Sequence, residues 1–192
     1  MVVGALGLKQ KQVGCVVKRM GGGCGGKESQ AFHIAALAAL AAHKTNRPCR
    51  LVLTKDEDMK ITGKRHPFKN WYKVGFNKDG KIKSLRVHFF ADGGAYLDLS
   101  PAILQRAMFH VDNAYQLENA LITGRVVKSN RSPNTAFRGV GGLQGAAVIE
   151  SLMEDLAQLL KIDSLAVRKI NWYHKTGGIN HYRQVPINTV SS

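Results

Sequence analysis

Acidic side chains are scarce here: 13 Asp and Glu stand against 28 Lys and Arg, giving a net charge of +15 over 192 residues. A balance that far from neutral invites a polyanion partner. The bases, however, are spread from Lys9 to Arg183 and never form a dense run. Aromatic residues are also few, at 7%, and do not interleave with Lys and Arg along the chain, and no helix-turn-helix or zinc signature occurs. A basic nucleic-acid-binding module is therefore the weakest of the available readings, and a solvated basic surface or one part of a larger assembly is a simpler one. Cysteine is limited to Cys15, Cys24 and Cys49, an odd number without metal-ligand spacing. That speaks against a disulfide framework and for reduced thiols in a cytoplasmic setting. The histidines contain no pair at ligand spacing, so core or surface roles are expected of each. No basic-then-apolar leader opens the chain, and no apolar run is long enough to span a membrane.

Apolar residues make up 44% of the chain, enough for one domain or two small ones. Its most informative stretch is Arg19-Met20-Gly21-Gly22-Gly23-Cys24-Gly25-Gly26-Lys27-Glu28. Clustered glycines lose backbone entropy on folding, so they mark positive φ or something approaching the main chain closely. Alternating apolar residues Val13, Cys15 and Val17 predict a strand over 13–19 before this loop. A helix is predicted over 29–44, apolar nearly all round as in a buried helix. Strand, glycine loop and helix start together would aim backbone N–H groups at one anionic group. The spacing is not that of a phosphate loop, since Glu28 occupies the hydroxyl position. Nor does a following strand supply the acidic residue of a dinucleotide fold.

Further elements follow in order. Met1 to Leu8 reads as the end of a helix and its turn, and Arg50–Leu53 as a strand. Thr54 caps a short helix with an acidic first turn, ended by Gly63. Residues 71–76 and 81–91 form the clearest hairpin, with Asp79-Gly80 in its turn. A helix is expected around Leu99–Val111, with Pro101 in its first turn, and a strand at Leu121–Lys128. An irregular loop covers Asn130–Gly142, an amphipathic helix Leu143–Leu160, and a shorter one Ser164–His174, capped by Asp163 or Ser164. Asp92 and Asp98 read as exposed loop or cap residues, and Trp71 as packing or rim. Helices and strands mix without regular alternation, so the fold class is α+β. Residues 1–175 form the domain proper, and 176–192 an irregular peripheral segment or truncated end.

Four separated segments carry a resemblance: Arg19–Glu28, Arg65-His66-Pro67-Phe68, Arg106-Ala107-Met108-Phe109-His110, and Asn134–Gly145 (Asn-Thr-Ala-Phe-Arg-Gly-Val-Gly-Gly-Leu-Gln-Gly). Together they resemble the molybdopterin-binding part of the xanthine dehydrogenase and aldehyde oxidase family, in order and intervals and over nearly the whole chain. The resemblance implies part of a molybdenum hydroxylase, using molybdenum–molybdopterin to hydroxylate a purine ring carbon with water-derived oxygen. Iron–sulfur clusters and FAD are expected on other domains or subunits, with the complete protein an oligomer. Residue by residue, it implies that Gly23, Cys24 and Gly25 form the cofactor loop, the Cys24 backbone amide lying near a ligand of the metal. It places Arg138 and Gly139 at the cofactor, Glu28 as hydrogen-bond acceptor for a purine, and Val140 beside the substrate ring. Arg106 would orient the substrate and offset developing charge, a task suited to a fixed, permanently charged guanidinium. Outside the resemblance, Glu28 also reads as a first-turn carboxylate, Arg106 as a surface arginine, Arg138 as part of a turn, and Cys24 as a plain buried thiol.

Three positions depart from the family pattern. Cys24 and Val140 stand where phenylalanine is usual, and Leu143 replaces a proline. Loss of an aromatic at position 140 removes a stacking contribution of about 0.5–1.5 kcal/mol. The general-base glutamate of the family has no counterpart after Gly145. The chain thus reads as a central slice of a larger molybdenum-binding subunit that should not turn over alone. The competing expectation is a truncated, non-catalytic relative that binds no cofactor.

Overall fold

The computed structural model describes residues 2–173, so the expected peripheral segment at 176–192 lies outside the described residues. Helices α1 (Val2–Leu6), α2 (Ala31–Thr45), α3 (Lys55–Ile61), α4 (Ser100–Phe109), α5 (Gly142–Leu160) and α6 (Ser164–Asn171) accompany strands β1 (Phe68–Phe76), β2 (Ile82–Gly94) and β3 (Ala120–Lys128). The α+β expectation holds.

The sheet has order β1-β2-β3. β1 and β2 form the expected antiparallel hairpin, while β3 joins β2 in parallel. A parallel neighbour requires a crossover, and the chain uses residues 95–119, which contain α4, to make it. In the hairpin turn Asn77 N donates to Lys81 O (2.9 Å) and Gly80 N to Asn77 O (3.0 Å), with Gly80 at φ +90°. One face of β2 supplies Leu85, Val87, Phe89 and Ala91 to the core, where they meet Val148, Ile149, Leu152, Met153 and Leu156 of α5. These α5 positions recur at the three- and four-residue spacing that puts them on one helix face. Asn171, at the end of α6, is fully buried. Its amide nitrogen donates to Gly80 O and Val167 O (both 2.9 Å) and its oxygen accepts from Ile82 N (2.8 Å), pinning α6 to the hairpin.

Ahead of Gly63 the picture changes. Among the described residues there, only Gln30 is buried, and none joins the hydrophobic core. Residues 13–19 and 50–53, expected as strands, carry no sheet pairing. Alternation of apolar residues makes a strand only where the segment lies along a partner edge, and neither segment pairs with the three-stranded sheet. Helix α2 forms where predicted but contains no buried residue; Phe32 is 45% and Leu37 56% exposed. Its alanine-rich sequence favours the helix through propensity alone, and the expectation of burial is corrected. Helix α3 is capped as its sequence indicates. The Thr54 side chain accepts from Glu57 N, and the Glu57 carboxylate accepts from Thr54 N (2.7 Å).

Two further expectations are corrected. Cys24 is an exposed thiol, not a buried one. Asp92 is largely buried at the end of β2, where its carboxylate accepts from Ser129 Oγ (2.6 Å) and Gly94 N (3.0 Å). Those hydrogen bonds to the ionised form, Ser129 foremost, hold its carboxyl below the usual carboxylate range. Asp92 therefore fixes the start of the loop that leads to the site.

Candidate functional site

Three chain segments from distant parts of the sequence meet at the loop 130–142. Asn134 N donates to Gly93 O (3.1 Å) and its side chain to Asp92 O (2.8 Å), while Thr135 N donates to Lys64 O (2.9 Å). These bonds hold Thr135 and Ala136 in the interior, both nearly inaccessible, and leave Phe137 to Val140 at the rim. The glycine loop then closes on this segment. A Cβ on Gly25 would lie 3.0 Å from the Ala136 carbonyl oxygen, and one on Gly26 would lie 3.1 Å from the Phe137 ring. Ser29 Oγ sits 3.4 Å from Thr135 Oγ1. Arg65 completes the junction. Its guanidinium lies 5.5 Å from the centre of the Phe137 ring, in cation–π range, and donates to the Arg138 carbonyl.

Helix α4 packs against the same region through glycine. At Gly141 a Cβ would come 2.1 Å from Ile103 O, and at Gly145 2.2 Å from Ala107 O. Only residues without side chains let the start of α5 approach α4 this closely. Arg106 sits one residue before Ala107 on that helix. Its carbonyl accepts from His110 N and lies 2.9 Å from His110 Nδ1, and its side chain is exposed.

The backbone turns sharply at the rim. Gly139, Val140 and Gly141 have φ values of +95°, +46° and +93°, and Cys24 and Gly25 have +48° and +85°. Val140 is the unusual member, because a β-branched residue resists the left-handed region. Its N–H donates to Phe137 O at 2.6 Å, which locks the turn. Gly21 to Gly23 behave differently. A Cβ added to any of them would meet nothing within 4 Å. Their missing side chains are not needed for packing against the described residues, although Lys27 Nζ does donate to Gly22 O (2.6 Å) from outside the row. Three glycines with empty Cβ positions leave a stretch of backbone open on its side-chain face among the described residues.

The expected site residues thus divide into two groups. Gly25, with Gly26 beside it, is brought against Ala136 and Phe137, the residues just before Arg138, Gly139 and Val140, while Gly23 and Cys24 lie at the open end of the same loop. Glu28 and Arg106 stand on separate elements. Among the described residues no ion pair engages Glu28, Arg106 or Arg138, so all three charged side chains are uncommitted and exposed. No cluster of three His, Cys, Asp or Glu side chains capable of holding a metal occurs among the described residues. No helix among them is long and apolar enough to cross a membrane.

Sequence reasoning singled out the segment Arg65–Phe68 without giving its residues roles. Arg65 bridges to Arg138 across 73 positions, a separation no local pattern reveals. His66 is buried, with Nε2 2.6 Å from Ser100 Oγ at the start of α4. Desolvation pushes its pKa down, against the opposing pull of Asp98 and Asp92, so the imidazole is held neutral between the hairpin and the Arg106 helix. Gln144 Nε2 approaches the His66 carbonyl at 3.4 Å. Gln30 accepts from Gly63 N (2.8 Å) and lies 3.4 Å from Asp98, tying the glycine loop's following helix to the same frame.

Comparison with known proteins agrees with this geometry. Residues 1–172 match the molybdopterin cofactor-binding domain family. The chain is 49% identical over 180 residues to a xanthine dehydrogenase/oxidase of Gallus gallus, covering 94% of this chain and 13% of that protein. It is 42% identical over 190 residues to a xanthine dehydrogenase of Dictyostelium discoideum, covering 99% of this chain and 14% of the other. Among solved structures, the aldehyde oxidoreductase from Desulfovibrio gigas superposes with a TM-score of 0.83 at 32% identity, over 97% of this chain and 20% of that one. The CO dehydrogenase of Oligotropha carboxidovorans, at 24% identity and a TM-score of 0.74 over 90% of this chain and 22% of its own, shares the fold. The chain spans about an eighth of the length of the curated relatives it matches. The match across residues 1–172 shows that this chain belongs to the molybdopterin cofactor-binding domain family, whose fold it shares with the aldehyde oxidoreductase.

Proposed function

We propose that these residues form part of the molybdenum-binding subunit of a xanthine dehydrogenase-like hydroxylase, which hydroxylates a purine ring carbon with water-derived oxygen. The observation that carries this reading is the closure of the glycine loop on Ala136 and Phe137 while Gly21, Gly22 and Gly23 keep space open beside their backbone. When bound, molybdenum–molybdopterin supplies the two-electron redox centre of the reaction. The chain's own share is binding and orientation. The backbone of Gly23, Cys24 and Gly25 offers N–H donors on the cofactor side, the positive φ at Cys24 and Gly25 turning the peptide planes at that point. Arg138 and Gly139 serve the same cofactor contact in this reading, which is supported by the anchoring of the Arg138 carbonyl by Arg65, an arrangement that leaves the Arg138 guanidinium available.

Glu28 and Arg106 form the substrate pair. A carboxylate accepts from a purine N–H, and a guanidinium donates to an exocyclic oxygen, gaining strength as that oxygen becomes more negative in the transition state. An acceptor and a donor across a pocket suit a hydroxypurine better than an aldehyde. Val140 stands beside the substrate ring and gives shape without stacking. The proton acceptor for the attacking water, the remaining part of the molybdenum domain, and the iron–sulfur and FAD centres lie outside residues 1–192, so these residues alone are inactive. In the full-length protein, Arg106→Ala should lower kcat/KM for xanthine about 10²–10³-fold, the scale of losing one charge-stabilising donor. Glu28→Ala should act mainly on purine recognition. Purine turnover unchanged in both variants would sink the substrate assignment. The alternative, a non-catalytic relative, draws on Cys24 and Val140 at usual phenylalanine positions and predicts a full-length protein without molybdenum.

A further inference from the structure

The face of the sheet turned away from the core carries a pattern the linear sequence hides. Register places Lys69, Phe90 and Arg125 side by side across the three strands, then Trp71, His88 and Thr123, then Lys73, Arg86 and Leu121. All nine are at least partly exposed, and eight of them, all but Lys73, line an open groove of about 650 Å³. Cations therefore occupy the two outer rows, and the middle row holds an aromatic, an imidazole and a hydroxyl. Rows two residues apart are separated by about 6.7 Å, so the two cationic rows stand about 13 Å apart. The nine positions include no acidic residue, and none of their four cations takes part in an ion pair among the described residues. In the middle row Trp71 is 49% exposed, while His88 is tied to Thr123 Oγ1 (2.6 Å) and packed edge-on against Phe90 (4.4 Å).

We propose that this face docks an extended segment of a partner polypeptide, with acidic side chains at positions i and i+4 and an apolar side chain at i+2. An extended chain advances about 13 Å over four residues, with i, i+2 and i+4 on the same side. Its two carboxylates then meet the Lys69–Arg125 and Lys73–Arg86 rows, and the apolar side chain lies on Trp71. Charge complementarity selects the occupant. Residues 174–192 contain no Asp or Glu, so that stretch does not supply it. Single-stranded nucleic acid fits less well, since successive bases need several open rings. The Phe90 ring is engaged by His88, which leaves Trp71 as the open one.

The test uses the full chain and a fluorescein-labelled nonapeptide with Glu at positions 3 and 7, Leu at 5 and Ser or Thr elsewhere, followed by polarisation. Binding should weaken as salt rises and should shift the Trp71 emission. The double variant Lys69→Glu/Arg125→Glu should bind at least about tenfold more weakly, with an unchanged melting temperature because both side chains are exposed. A Glu→Gln peptide should lose affinity in the same way. Lys69→Gln/Arg125→Gln provides a milder pair if charge reversal disturbs folding. Equal binding by wild type and both variants, or none at all, overturns the proposal. Tighter binding of oligo-dT than of the peptide, or a dimer in light scattering that the variants abolish, also overturns it and gives the face to nucleic acid or to a second copy.

Discussion

Replacing Gly141 with alanine should be among the most damaging single-methyl changes in this chain. Gly141 has φ +93°, and its added Cβ would stand 2.1 Å from Ile103 O, 3.0 Å from Ile103 C and 3.1 Å from Ala107 N. All three contacts are backbone atoms of α4, so no side chain can rotate away. Relief requires α4 and the start of α5 to separate by nearly an ångström along a tightly packed seam. The left-handed conformation adds about 1–2 kcal/mol for a residue with a Cβ, and forced separation of packed elements adds about 1–3 kcal/mol. The sum is about 2–5 kcal/mol, which for a domain this size lowers Tm by roughly 5–15 °C. Differential scanning calorimetry of Gly141→Ala beside wild type reads this directly. Gly21→Ala is the control, since nothing lies within 4 Å of its Cβ position and its φ is not left-handed. A Tm loss below 2 °C for Gly141→Ala would refute the claim that glycine at this position is required by the approach of α4; that threshold is about 1 kcal/mol.

Asn171→Ala removes three hydrogen bonds at a fully buried position and strands Ile82 N and Gly80 O; chemical denaturation should show a loss of about 2–4 kcal/mol, and less than 1 would show that α6 does not pin the hairpin. Acid should act in two stages. His66, depressed by burial, is neutral in the fold but protonates near pH 6.5 when unfolded, so its contribution is present above about 6.5 and is lost as pH falls through its lower folded value. Asp92, also depressed, stabilises the fold above its unfolded value of about 3.9 and loses that contribution at still lower pH. Urea midpoints that stay level from pH 7 to pH 5 would contradict the buried neutral imidazole.

Much of the core was readable from residue pattern. The hairpin, α4, β3 and α5 each turn one side to the core, and their apolar spacing states which side; the exposed α3 was legible from its Thr54 cap alone. The 13–19 and 50–53 segments misled because alternation records β propensity and says nothing of whether an edge is free. Helix α2 misled for a related reason: an apolar surface on all sides implies burial, yet Phe32 and Leu37 face open space. At the site, the motifs themselves were visible as glycine clusters and isolated charges. Their mutual placement was not, since Gly25 against Ala136 and Arg65 against Arg138 join residues far apart in sequence. The roles of His66, Gln30 and Gln144 had no local signal, because each side chain acts by bridging two elements whose meeting only the fold decides. The cationic sheet face was hidden likewise, its rows being written across three strands.

The central claim is that the open backbone of the glycine loop receives the cofactor, and Gly23→Ala tests it most directly. A Cβ there meets nothing in the described chain and its φ is not left-handed, so the fold should tolerate it, while the methyl group occupies the space in front of the loop. The measurement is molybdenum and pterin content of the full-length protein, wild type and variant, together with the Tm of cofactor-free samples. The account predicts stoichiometric molybdenum in wild type, a large loss in Gly23→Ala, and matching cofactor-free Tm values. Equal molybdenum in both proteins, or none in either, would contradict it.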